Sequence, residues 1–132
     1  MYLQQTTETF LNENHEWLGS ARGTESPQSI TLQTNAFTAG THYPNGFFPS
    51  GLPLGKYTSG ANTGKYGPYT AGATDGTQDL AGFLYMTVKA PTDNTINVVG
   101  ALLDTGRVIV SKLPIATVNA AAQATNPRFV YV

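Results

Sequence analysis

Three short stretches hold residues whose types and spacing could do chemistry. Asp104 closes the apolar run Ala101-Leu102-Leu103 and is followed by Thr105-Gly106. A carboxylate so placed, brought against its own copy across a two-fold axis, could share a proton with it and activate water. Gly60-Ala61-Asn62-Thr63-Gly64-Lys65 carries two glycines and a lysine, the parts of a loop that cradles phosphate. Its glycine spacing is one residue short, and Tyr66 stands where a Ser or Thr hydroxyl would hold magnesium. His15-Glu16 opens like a zinc-binding helix, but no second histidine follows four residues after the first; the other histidine is His42. No serine sits in a nucleophile-elbow setting.

The elements that would have to position Asp104 argue against the first of these readings. The run Ala101 to Gly106 resembles the active-site signature of retroviral-type aspartic proteases. In that family the signature lies early in the chain, with a flap and a second apolar-Gly segment downstream. Only 26 residues follow Gly106, and Arg107-Val108-Ile109 replaces the small residue and hydroxyl that normally come next. Asp104-Thr105-Gly106 reads instead as a hairpin turn between two apolar strands, Ile96 to Leu103 and Arg107 to Leu113. The chain is expected not to be an enzyme and to need no cofactor or metal.

Glycine punctuates the middle of the chain, at positions 51, 55, 60, 64, 67, 72, 76 and 82. Between the glycines stand Tyr57, Tyr66 and Tyr69, which can bury a ring and keep a hydroxyl wet. Asn45-Gly46 and Asp75-Gly76 are strong turn signals. Leu80 to Ala90 alternates with both faces largely apolar, the pattern of a central strand. Ile30-Thr31-Leu32 is a short strand, Ala116 to Thr125 a short helix by alanine propensity, and Arg128 to Val132 a last strand.

Composition narrows the classes of function. Of 132 residues, 11% are charged against an ordinary ~25%, yet seven Tyr and six Phe give the chain something to bury. Net charge is -1, with no basic excess, which argues against a phosphate-neutralising surface for nucleic acid. No apolar run approaches the length of a membrane span, and no leader-type segment opens the chain. There is no cysteine, so disulfides and thiolate metal sites are excluded. What remains is one domain with large neutral polar surfaces, suited to packing against other protein.

Residues 1–29 differ from the rest and read as an N-terminal arm ahead of a β-rich domain at 30–132. The arm holds four of the eight acids and sets its apolar residues in pairs: Tyr2-Leu3, Phe10-Leu11 and Trp17-Leu18. Neither helical nor strand period is sustained. Anchors of this size in an aperiodic segment are expected to dock on a partner or a neighbouring subunit.

From Gly51 to Leu113 the chain resembles the head decoration proteins of tailed bacteriophages, the family typified by the lambda decoration protein. The resemblance rests on Lys65-Tyr66-Gly67-Pro68-Tyr69, then Asp75-Gly76, then Ala81-Gly82-Phe83-Leu84, and on Val98-Val99 leading to Gly106-Arg107-Val108. It implies a mainly β fold of β-clip or β-tulip type with one short helix and an extended arm. It also implies a homotrimer on the outer capsid surface at three-fold and quasi-three-fold positions, with the major capsid protein as partner and the arm ordering on the shell. A carbohydrate- or receptor-binding module of a virion is the second class, for which Tyr57, Tyr66, Tyr69 and Tyr85 could form a stacking platform.

Overall fold

The doubly apolar run at Leu80 becomes the strand on which the domain is built. The computed structural model describes residues 15–20, 24 and 27–132. Nine strands are formed there: β1 Gln28–Leu32, β2 Phe47–Phe48, β3 Pro53–Lys56, β4 Tyr66–Pro68, β5 Leu80–Leu84, β6 Val88–Lys89, β7 Val98–Leu103, β8 Gly106–Val108 and β9 Phe129–Tyr131. Two short helices, α1 Ala39–His42 and α2 Ala120–Ala124, interrupt them. The expected mainly β architecture is observed, with two short helices where one was expected.

Five strands close into a barrel in the order β1-β4-β3-β5-β7, with β7 returning to pair with β1. All pairings are antiparallel except β1–β4, which meet in parallel at Leu32 and Tyr66. Closure leaves no free edge within this sheet. Two ribbons flank it: β2 with β6, antiparallel, and β8 with β9, parallel.

Two apolar clusters follow from this layering. Ile30, Leu32, Phe48, Leu54, Tyr66, Leu84 and Leu102 belong to the first. Trp17, Leu80, Phe83, Leu103, Val108, Val118, Ala122 and Phe129 form the second. Strands β5 and β7 contribute to both, which is why neither shows a polar face. Phe83 meets Phe129 edge to face at 5.1 Å, an arrangement that adds to the stabilisation from area burial, and lies tilted against Trp17 at 5.6 Å.

Several local expectations are corrected. Asp104-Thr105-Gly106 is not a hairpin: β7 pairs with β1 and β5, while β8 pairs with β9, so the turn carries the chain from one sheet to the next. The strand expected at Leu80 to Ala90 ends at Leu84 and resumes only as β6. The strand expected to reach Leu113 stops at Val108, and a 3-10 turn covers Val110–Lys112. Helix α2 begins at Ala120 because the Asn119 side chain accepts the Ala122 amide, so the polar cap overrides alanine propensity upstream. Helix α1 was not foreseen, since Ala-Gly-Thr-His has little helical propensity.

The largest correction concerns the arm. Trp17 is 1% exposed and sits in the second cluster, and Leu18 bridges antiparallel to Val108. The Gly19 amide donates to Arg107 O at 2.8 Å and the Ile109 amide to Trp17 O at 2.7 Å. Residues 15–20 therefore belong to the body, as a further strand-like segment beside β8. Tyr2, Leu3, Phe10 and Leu11 lie outside the described residues.

Candidate functional site

Of the candidates for chemistry, the glycine loop has a structural occupation. The loop Gly60 to Lys65 is the tip between β3 and β4. Its amides are spent inward: Gly64 N donates to Tyr57 O, Lys65 N to Asn62 O and Thr63 N to Gly60 O. Amides so engaged do not point into a common anion nest. Asp104 is half-buried at the turn between sheets. Near it, burial raises the Tyr66 phenol, the Asp104 carboxylate adds to that shift, and Arg128 opposes it. Among the described residues, no three His, Asp or Glu side chains gather as metal ligands.

The residues that carry the family resemblance build the scaffold. Tyr66 is buried within β4, where it pairs with Lys56, and Pro68 in the same strand pairs with Leu54. Tyr69 packs against the second cluster. The Asp75 carboxylate accepts from the Thr77 hydroxyl at 2.6 Å and the Thr77 amide at 3.1 Å, bonds that hold it below the usual carboxylate range. Gly76 follows at φ +109°, and a side chain there would run into Lys56 O and Thr58. Gly82 lets β5 approach Leu103 O more closely than any Cβ would permit.

The four tyrosines do not form a platform. Tyr66 is buried, Tyr57 lies over Gly67, and Tyr85 packs on the second cluster with the His15 ring 5.1 Å away. Their placement is that of packing residues.

A cleft of about 380 Å³ opens where the Trp17 segment meets β2. Phe47, Pro49, Pro114 and Ile115 give it an apolar wall, and Lys112 is its single charged side chain. Ser50 fixes the floor. Its hydroxyl accepts from Trp17 Nε1 at 3.1 Å and donates to Tyr85 O at 2.6 Å, and its amide donates to Thr87 Oγ1 at 3.1 Å. Sequence reasoning missed this cleft, because its walls come from four separate stretches. The one available signal was the density of prolines at positions 44, 49 and 114 among aromatic residues.

Helix α1 borders the same region. The Thr38 amide donates to His42 Nδ1 at 2.8 Å, and the ring meets Phe37 edge to face at 5.5 Å. Burial holds the imidazole below its ordinary value. The neutral ring is thus favoured in the folded state, and a protonated Nδ1 could not accept the amide. This contribution to stability is fully present above the unfolded value near 6.5 and is lost as pH falls through the lower folded value. Thermal unfolding should show a larger loss between about pH 7.5 and about pH 5 in the wild-type protein than in His42→Gln. Equal losses would place the ring in open solvent.

Comparison of the chain with protein-family models, with curated proteins and with solved structures returns no match.

Proposed function

We propose that this chain is a structural virion protein that binds the outer surface of a tailed-phage capsid, as a trimer at three-fold and quasi-three-fold positions, and stabilises the mature shell. One observation carries the reading. The stretches that resemble the decoration family, Lys65 to Tyr69, Asp75-Gly76 and Ala81 to Leu84, form or flank the barrel strands β4 and β5 and a positive-φ turn at Gly76. The major capsid protein is the partner, and Tyr2, Leu3, Phe10 and Leu11 supply the attachment. Trp17, committed to the core, does not.

The mechanism is linkage. A protein that binds several capsid subunits at once, and binds only the assembled shell, stabilises that state by mass action. With 11% charged residues, long-range attraction contributes little, and attachment rests on apolar contact and neutral hydrogen bonds. Exposed charges are screened within ~3 Å at about 1 M salt. Shells stripped of decoration, incubated with the protein and sedimented at low and at high salt, should therefore carry it at the same occupancy. Complete release at high salt, or no co-sedimentation at either, would overturn the proposal. Binding to a glycan array with no binding to shells would favour the carbohydrate-binding reading instead.

A further inference from the structure

The turn between α1 and β2 carries Asn45-Gly46, the only asparagine of the chain that is followed by glycine. Asn45 is exposed and lines the cleft that also holds Lys112. Four other asparagines use their side-chain oxygens: Asn35 accepts from Gln33, Asn97 from the Thr34 amide, Asn119 from the Ala122 amide and Asn126 from the Arg128 amide. Asn62 and Asn94 each precede a threonine, whose branched side chain crowds its own amide. Gly46 has no such side chain, and a Cβ there would meet nothing within 4 Å, so its nitrogen is open to approach. Few bonds restrain the pair. Gly46 N donates to Tyr43 O at 3.0 Å, and Gly46 O accepts from the Ala90 amide at 2.9 Å. Tyr43 in turn caps α1, a single turn of Ala-Gly-Thr-His whose inner glycine weakens it.

We propose that Asn45 is a self-modifying site, at which an amide in the cleft lining becomes a carboxylate whenever the turn capped on α1 opens. Once Gly46 N leaves Tyr43 O and gives its proton to a solvent base, its lone pair attacks Asn45 Cγ. The new Cγ–N bond closes a five-membered imide. The bond from Cγ to the side-chain nitrogen breaks, and that nitrogen takes a proton from water and leaves as ammonia. Water then cleaves the imide. Cleavage at Cγ gives aspartate, and cleavage at the backbone carbonyl carbon gives isoaspartate, with the chain running through the former side chain. Both steps need only water. Either product sets a negative charge in a lining where Lys112 is the single charged side chain. Isoaspartate also lengthens the backbone just ahead of β2, beside the bond from the Ala90 amide to Gly46 O. Older molecules thus differ from new ones at this cleft. The inference does not depend on shell attachment, because it is read on the free protein.

The full-length protein, held folded in mildly alkaline buffer and sampled over days, is digested and each asparagine followed by fragment-ion mass spectrometry. Labelling by an isoaspartate methyltransferase is the second readout. Asn45 should gain the mass difference between an amide and an acid faster than every other asparagine, and the label should accumulate there. Gly40 lies inside α1 outside the left-handed region, with open space around an added Cβ, so Gly40→Ala strengthens the helix without a clash. That variant should convert more slowly by about fivefold, the factor that corresponds to the Gly-to-Ala difference in helix propensity. Faster conversion at another asparagine would overturn the proposal. So would an intact Asn45 at a time when a synthetic peptide spanning Tyr43 to Phe48 has converted. An unchanged rate in Gly40→Ala would overturn the control by α1.

Discussion

Replacing Trp17 by alanine is expected to destabilise the domain by about 3–5 kcal/mol, the range for removing a large aromatic side chain from a packed core. The indole is 1% exposed, tilted against Phe83 at 5.6 Å, and donates to Ser50 Oγ. Gly51 lies flat against it at φ +92°, so closely that a Cβ there would overlap the ring. Nothing larger than glycine can fill from that side, and a cavity should remain. Urea unfolding followed by circular dichroism is the suitable measurement, since the variant loses its only fluorescent indole. Leu18→Ala, at a half-buried position, serves as the milder comparison. A loss below about 1 kcal/mol for Trp17→Ala, the scale of surface substitutions, would return this residue to a detachable arm.

The second large effect is expected at Gly76, and Gly60 supplies its control. Both glycines have positive φ, +109° and +82°. An alanine at either position incurs the conformational cost of a left-handed backbone, about 1–2 kcal/mol. At Gly60 that is the whole cost, because nothing lies within 4 Å of the added methyl. At Gly76 the methyl would press on Lys56 O and on the Thr58 amide, and backbone cannot rotate out of the way. Gly76→Ala should therefore cost at least twice what Gly60→Ala costs, and the difference should appear as a lower melting temperature with the same heat-capacity change. Equal losses would mean that the turn opens freely and that the Asp75–Thr77 bonds do not hold it.

Much of this architecture is legible in residue order. The alternation from Leu80 to Ala90 with apolar residues on both faces predicts a strand covered on both sides, and its first half, β5, is one. Asn45-Gly46 and Asp75-Gly76 predict tight turns, and both glycines have positive φ. What cannot be read locally is which strands meet. The Asp104 turn looks like a hairpin because hairpins are what local signals encode, whereas the parallel pairing of β8 with β9 joins Val108 to Tyr131 across an intervening helix. Trp17 is illegible for a related reason. An isolated strand-like segment of a few residues shows no period, so its apolar pair looks unattached until Val108 is placed beside it. The cleft is harder still, since a concave surface assembled from four segments leaves no spacing to recognise. The candidate chemistry at Asp104 and at the Gly60–Lys65 loop was weakened in the sequence by what stood next to each motif, Arg107 in one case and Tyr66 in the other.

The way the barrel shuts also sets a timetable. Ile30 lies opposite Gly100, Leu18 opposite Val108, and Gly106 opposite Phe129, so each closing pair joins an early residue to one made much later, or waits on the last strand. Loop-closure entropy must be met before such distant pairings are rewarded, which makes folding slow for the domain's size. A chain growing from its N-terminus therefore emerges from the ribosome with Trp17, Ile30 and Leu32 short of the strands that will flank them. The strand partners of Leu32, Ile30 and Leu18, at Val98, Gly100 and Val108, are made only late in synthesis. The low charge that suits the finished surface leaves the half-made chain poorly protected against association with its siblings, so yield in the cell should fall steeply with expression rate and recover when translation is slowed or a holding chaperone is supplied.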